Sequence, residues 1–150
     1  MQDEEIQGVV EHEMGNRKTD YLFRISVKAL ILDNMSRVLV VKETGRDFWD
    51  LPGGGMDHGE SVKDAIAREL YEEVSMKGDF SYKPIHVEDP SLLRTTSILQ
   101  MRLIFHIIPE GMNFVNGQDG DAVMFIDPVR YKDSQHARER QIYEYAQLIN

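Results

Sequence analysis

Apolar positions along the chain change period several times, and each change marks an expected element. Residues 21–32 are rich in β-branched and aromatic side chains. Asp33-Asn34-Met35-Ser36 then supplies turn chemistry ahead of a second apolar run from Arg37 to Lys42, so the two runs are expected to form a β-hairpin. A short stretch, Phe48 to Leu51, leads into Pro52-Gly53-Gly54-Gly55, where a proline and three glycines argue against regular structure and predict a loop of special shape. Val62, Ile66, Leu70 and Val74 then recur every four residues behind a capping-box pattern of Ser61 and Asp64, which predicts a helix over about 61–75.

Beyond this helix, apolar-rich segments near 80–87, 97–108 and 122–127 read as strands separated by Pro84, Pro90, Pro109 and glycine-containing loops. From Ser134 to Ile149, the spacing of Ala137, Ile142, Tyr145, Ala146 and Ile149 predicts a closing helix. Residues 1–20 are polar and read as an N-terminal arm or peripheral strand, leaving 21–150 as one domain. Strands around one central helix with a second at the C-terminus predict an α/β fold with a mixed sheet packed between helices.

Composition narrows the function without naming it. The chain has 150 residues, 41% of them hydrophobic and 29% charged, as in ordinary globular proteins. No apolar run spans a bilayer and the N-terminus MQDEEIQG has no leader pattern, which argues against a membrane role and fits the cytoplasm. The absence of cysteine excludes a disulfide framework, a thiolate zinc site and a cysteine nucleophile. A formal net charge of −9 argues against broad binding to nucleic acid or anionic lipid, so a polyanionic ligand needs local compensation.

Glu69, Glu72 and Glu73 supply the sharpest chemical signal, because spacings of three and four put them on one face of the expected helix. Like charges so placed destabilise a helix by roughly 0.2 to 0.5 kcal/mol per pair, and the macrodipole opposes them near its C-terminal end. A hard divalent cation removes both penalties, since Mg²⁺ prefers carboxylate oxygens. Arg68, four residues before Glu72 and eight after Glu60, is placed to orient this acidic face together with Glu60. The glycines ahead of the helix let backbone carbonyls approach a metal, with Gly54 the leading carbonyl ligand. A glutamate pair alone is more often a solvated surface; the fixed distance to the glycine loop sets this one apart.

The stretch LPGGGMDHGESVKDAIARELYEEVSM, residues 51–76, resembles the Nudix box, G-x5-E-x7-R-E-U-x-E-E-x-G-U with U aliphatic. Gly54, Glu60, Arg68, Glu69, Leu70, Glu72, Glu73 and Met76 fall in register, and Trp49-Asp50-Leu51-Pro52-Gly53 matches the usual approach. Ser75 departs from the pattern, standing where a glycine normally ends the helix in a left-handed conformation. Gly55 stands where many relatives carry a basic or larger side chain.

The resemblance implies a Nudix-type α/β/α sandwich, Mg²⁺ or Mn²⁺ as cofactor, and hydrolysis of a phosphoanhydride in a nucleoside diphosphate linked to another group. Nucleoside triphosphates, ADP-ribose and nucleotide sugars are all open as substrates. It also implies a further acidic metal ligand from a later loop, with Asp121 the first choice and Asp119 the second. Arg68 is expected to orient Glu69, and Glu69, Glu72 or Glu73 to accept the proton of the attacking water, with Glu69 placed first. Lys42 and Arg46 are candidate phosphate contacts. Dimers are common among such proteins, and residues 1–20 are the part expected to contribute to a homodimer. The competing reading is a nucleotide-binding domain that regulates instead of hydrolysing.

Overall fold

A computed structural model describes residues 8–93, 95–117 and 120–149. Two short strands, β1 (Val9–Glu11) and β2 (Thr19–Tyr21), pair antiparallel with each other. They are followed by β3 (Phe23–Leu30), β4 (Val38–Glu43), β5 (Gly53–Gly55), α1 (Val62–Val74), β6 (Phe80–Val87), β7 (Ser91–Leu93), β8 (Ile98–Pro109), β9 (Gly120–Ile126), a 3₁₀ turn (Pro128–Tyr131) and α2 (Ala137–Gln147). Residues 1–7 of the expected arm lie outside the described residues.

The main sheet runs β5-β3-β8-β6, with β7 also on β8, and it is mixed because β3 and β8 are parallel while the other pairs are antiparallel. β4 pairs separately with β9. Alternation along the strands divides the core between two helices. Val27, Ala29, Ile31, Leu39 and Val41 pack with Ile66, Leu70 and Val74 of α1. Leu30, Val38, Val40 and Ile104 pack with Ile142, Tyr145 and Ala146 of α2. Because β4 is buried on both faces, its run Val38-Leu39-Val40-Val41 is continuously apolar, unlike a half-exposed strand. The result is the expected α/β/α sandwich. Among the described residues no helix is long and apolar enough to cross a membrane.

Three expectations about elements need correction. The hairpin turn forms, with Ser36 N–H donating to the Asp33 carbonyl at 3.0 Å, but its strands separate after the Leu32–Val38 bridge. β3 and β4 pair with other strands and enter different sheets. The glycine stretch is a strand instead of an irregular loop: Gly53, Gly54 and Gly55 lie opposite Lys28, Val27 and Ser26. Pro84 does not separate strands either, since β6 runs through it with a register shift between Pro84 and His86 that accommodates the missing donor.

Candidate active site

β5 and α1 form the site together, and glycine permits it. A Cβ on Gly53 would lie 2.0 Å from the Val27 carbonyl oxygen, and its φ of +135° is one that side chains resist. A Cβ on Gly54 would lie 2.6 to 2.8 Å from the carboxylate atoms of Glu69. The strand therefore runs directly against the acidic face of the helix. Gly53 N–H donates to Glu73 at 2.7 Å, fixing that carboxylate from the strand side. Lys28 pulls the same strand inward from β3, its ammonium donating to the carbonyls of Leu51 and Gly53 at 3.1 Å each.

Arg68 organises the acids. Its Nε and Nη2 donate to the two carboxylate oxygens of Glu60 at 2.7 and 2.8 Å, and Nη2 also reaches the Gly55 carbonyl at 2.9 Å. Nη1 donates to Glu69 at 2.9 Å and, more weakly, to Glu72 at 3.4 Å. One guanidinium thus joins the helix, the strand and the loop between them. The hydrogen bonds from Arg68, with that from the Asp57 amide, hold the Glu60 carboxyl down at about 2.

The other two carboxylates of the core-facing side move the opposite way. Glu73 is only 6% exposed, and burial pushes it up to about 7 although the Lys28 charge and the Gly53 amide oppose the change. Burial also raises Glu69, with Arg68 opposing and Glu72 adding repulsion. Among the described residues no three acidic or histidine side chains gather tightly enough to hold a metal ion, because Glu69 and Glu72 turn to Arg68 and Glu73 to Gly53. The donor set nonetheless suits a hard divalent cation. It offers carboxylate oxygens against a backbone with no room for a side chain, and two of the acids are destabilised as anions by burial.

The helix ends at the serine that the sequence singled out. Ser75 takes the left-handed conformation the usual glycine would take, with φ 59°, and Met76 N–H returns to the Leu70 carbonyl at 3.1 Å. Next to it, Gly117 N–H donates to the Glu73 carbonyl at 2.9 Å and Val115 N–H to that of Val74 at 3.1 Å, satisfying carbonyls left free at the helix terminus. A Cβ on Gly117 would lie 1.9 Å from the Glu72 carbonyl oxygen. This contact brings the segment leading to β9 against the acidic end of α1. Asp119 lies outside the described residues. Asp121 is placed by its backbone alone, in β9 where the ladder with β4 shifts register between Lys42 and Glu43.

On the other side of β5 opens a cleft of about 430 Å³, lined by Arg24, Ser26, Lys28, Arg46, Gln100, Arg102 and Arg138 together with Glu43, Asp50 and the three glycines. Of the two candidate phosphate contacts, Arg46 lies on this cleft, paired with Glu43 at 3.2 Å. Lys42 stands on β4 opposite Ala122 and is not on its wall. Arg24 was not foreseen: its guanidinium occupies the space a side chain on Gly55 would fill, 2.4 Å from that position, so a cation comes from β3 instead of β5. Deeper in, Arg102 is 3% exposed and donates to Asp50 at 3.0 Å, while Glu88 takes bonds from Arg138 and from the Tyr145 hydroxyl. Lys28 and Arg102 outweigh burial and keep Asp50 below the usual carboxylate range. The signal for these residues was a lone charge within an apolar strand, as in SVKAL and QMRLIF.

The chain belongs to the Nudix family, whose domain model matches residues 22–144. It is similar to an RNA pyrophosphohydrolase of Shewanella frigidimarina, 40% identical over 81 residues that cover 54% of this chain and 42% of that protein. An RNA pyrophosphohydrolase of Psychrobacter is 36% identical over 91 residues, covering 61% and 48%. The chain thus matches less than half the length of these relatives. Its fold matches a MutT Nudix hydrolase from Burkholderia pseudomallei with a TM-score of 0.67 at 18% identity, over 83% of this chain and 98% of that one. It likewise matches the Nudix domain of Shewanella oneidensis NrtR, solved with ADP ribose, with a TM-score of 0.65 at 17% identity over 85% and 88%.

Proposed function

We propose that the protein hydrolyses a phosphoanhydride bond in a nucleoside diphosphate linked to another group, using Mg²⁺, or Mn²⁺ in its place, held by Glu69, Glu72, Glu73, the Gly54 carbonyl and Asp121. The observation that carries this reading is the fit of side-chain-free Gly54 against the Glu69 carboxylate, at the rim of a cleft rich in cations. A divalent cation bound there supplies charge neutralisation for the phosphates and lowers the pKa of bound water.

The chain's own residues supply positioning. Arg68 holds Glu60 and Glu69 in fixed relation to β5. Glu69 is the first choice to take the proton of the water that attacks phosphorus as the bridging P–O bond breaks, with Glu72 and Glu73 the alternatives. Arg46 and Arg24 face the cleft where phosphate oxygens would lie, and Lys42 remains a third candidate. The cleft answers the −9 net charge: five of its charged lining residues, Arg24, Lys28, Arg46, Arg102 and Arg138, are cations and two, Glu43 and Asp50, are acids.

The names of the relatives support an RNA as one member of this substrate class, beside nucleoside triphosphates, ADP-ribose and nucleotide sugars. Divalent-cation-dependent hydrolysis across such a panel, with products identified, tests the reading. Cleavage of one class supports it and names the substrate. Nucleotide binding without turnover of any would favour a regulatory binding domain.

A further inference from the structure

Lys28 is a cation buried in a core strand. It belongs to the run SVKAL of β3, is 8% exposed, and lies opposite Gly53. An ammonium there loses most of its hydration, and a buried charge persists only where other groups replace the water. Three groups do so. Nζ donates to the Leu51 and Gly53 carbonyls at 3.1 Å each and stands 3.5 Å from Oδ2 of Asp50. These contacts use all three N–H bonds of an ammonium, so Lys28 lines the catalytic cleft without a donor left for a phosphate.

The same contacts hold the glycine strand. β5 lies at one end of the main sheet and consists of three residues without side chains, so it has no packing of its own to fix it. On either side of it, Ala29 N–H donates to the Pro52 carbonyl at 2.9 Å and Met56 N–H to the Ile25 carbonyl at 2.8 Å. Between these anchors two cations grip β5 itself. Lys28 from β3 takes the Gly53 carbonyl, and Arg68 from α1 takes the Gly55 carbonyl at 2.9 Å. Gly54, the leading carbonyl ligand, is the residue between the two clamps. The Lys28 charge also bears on the acids of α1, where it opposes the upward shift that burial imposes on Glu73 and Glu69.

We propose that Lys28 is a positioning residue for the reaction and the counterpart of Arg68 at the other end of β5. It fixes the Gly53 peptide, which keeps the Gly53 N–H on Glu73 and presents the Gly54 carbonyl beside the carboxylates of α1 to a divalent cation. The proposal rests on the metal site of the hydrolytic reading above and adds to it a residue outside the stretch 51–76. Loss of this clamp spoils the cation site and spares nucleotide binding, because Lys28 touches the strand and no phosphate.

The test measures Mn²⁺ binding to the substrate-free full chain by electron paramagnetic resonance, and Mg²⁺-dependent hydrolysis of whichever panel compound is cleaved best, in wild type, Lys28→Met and Lys28→Gln. Methionine fills the space of the buried stem without its donors, and glutamine keeps N–H bonds that can serve one carbonyl. Lys28→Met should raise the Mn²⁺ dissociation constant about tenfold or more, the range for residues that orient metal ligands, and lower kcat while the nucleotide KM stays within about twofold. Lys28→Gln should lose less of both. Wild-type Mn²⁺ affinity in Lys28→Met, with only the melting temperature altered, would overturn the proposal and make Lys28 a core residue alone. A raised KM at unchanged kcat would overturn it in favour of a phosphate contact. Should Lys28→Met not fold, Lys28→Gln decides by the same readings: weakened Mn²⁺ binding supports the clamp and wild-type affinity refutes it. Mn²⁺ binding that weakens in the variants, without turnover of any panel compound by wild type, would bring down the hydrolytic reading and leave the clamp standing. No Mn²⁺ binding by wild type would bring down both.

Discussion

Arg68 grips both carboxylate oxygens of Glu60, eight residues earlier, and with the remaining arm of the same guanidinium reaches Glu69. Such a two-pronged pair has a geometry that a lysine cannot reproduce. Arg68→Lys and Glu60→Gln are therefore expected to lower kcat by about ten- to a hundredfold, the range for groups that orient metal ligands, with little change in circular dichroism. Wild-type turnover in both variants would remove Arg68 from the positioning role.

Glu72→Gln and Glu73→Gln should each reduce divalent-cation-dependent turnover by orders of magnitude. The two differ in stability. Glu73 is buried and Glu72 half-buried, so removing the charge at Glu73 relieves a burial penalty and should raise the melting temperature of the metal-free protein, whereas Glu72→Gln should leave it nearly unchanged. Full activity in both variants would sink the metal-site assignment.

The same buried acid makes stability depend on pH. The Glu73 carboxyl is raised in the fold from its ordinary 4.5 to about 7, so between these values the folded state binds more protons than the unfolded one. This contribution is fully present below about pH 4.5 and is lost as pH rises through 7. Metal-free protein should accordingly lose stability over that window in urea titrations, and Mg²⁺ should restore more stability at pH 8 than at pH 5. Glu73→Gln should flatten both trends.

Gly117→Ala tests the seam between the β9 approach and α1. A methyl group there would fall 1.9 Å from a backbone oxygen of the helix, and backbone cannot yield as a side-chain tip does. Overpacking of this kind costs about 1 to 3 kcal/mol. Gly111→Ala, where no atom lies within 4 Å, serves as the control. Denaturant midpoints that fall for the first and hold for the second are the expected result.

Asp121→Asn is expected to weaken cation affinity more than Asp119→Asn, as measured by titration of activity with Mg²⁺. The reverse order would move the ligand by two positions toward Gly117.

The sequence by itself determined the helix and the family. A four-residue apolar period behind Ser61 and a run of glutamates in register with Gly54 are local patterns, and local patterns survive without knowledge of the rest of the chain. What only the tertiary structure decided depends on residues far apart in sequence. Lys28 and Arg102 look misplaced in apolar strands until Asp50 and the Leu51 and Gly53 carbonyls are found beside them. Gly55 looks like a lost cation until Arg24, 31 residues earlier, is seen in its place. The glycines read as a loop because propensity favours one, and became a strand because β3 offered a ladder along which no side chain could pass. Spacing in the chain reports periodicity; which charges meet in the folded protein depends on strand pairing across the sheet, which spacing does not encode.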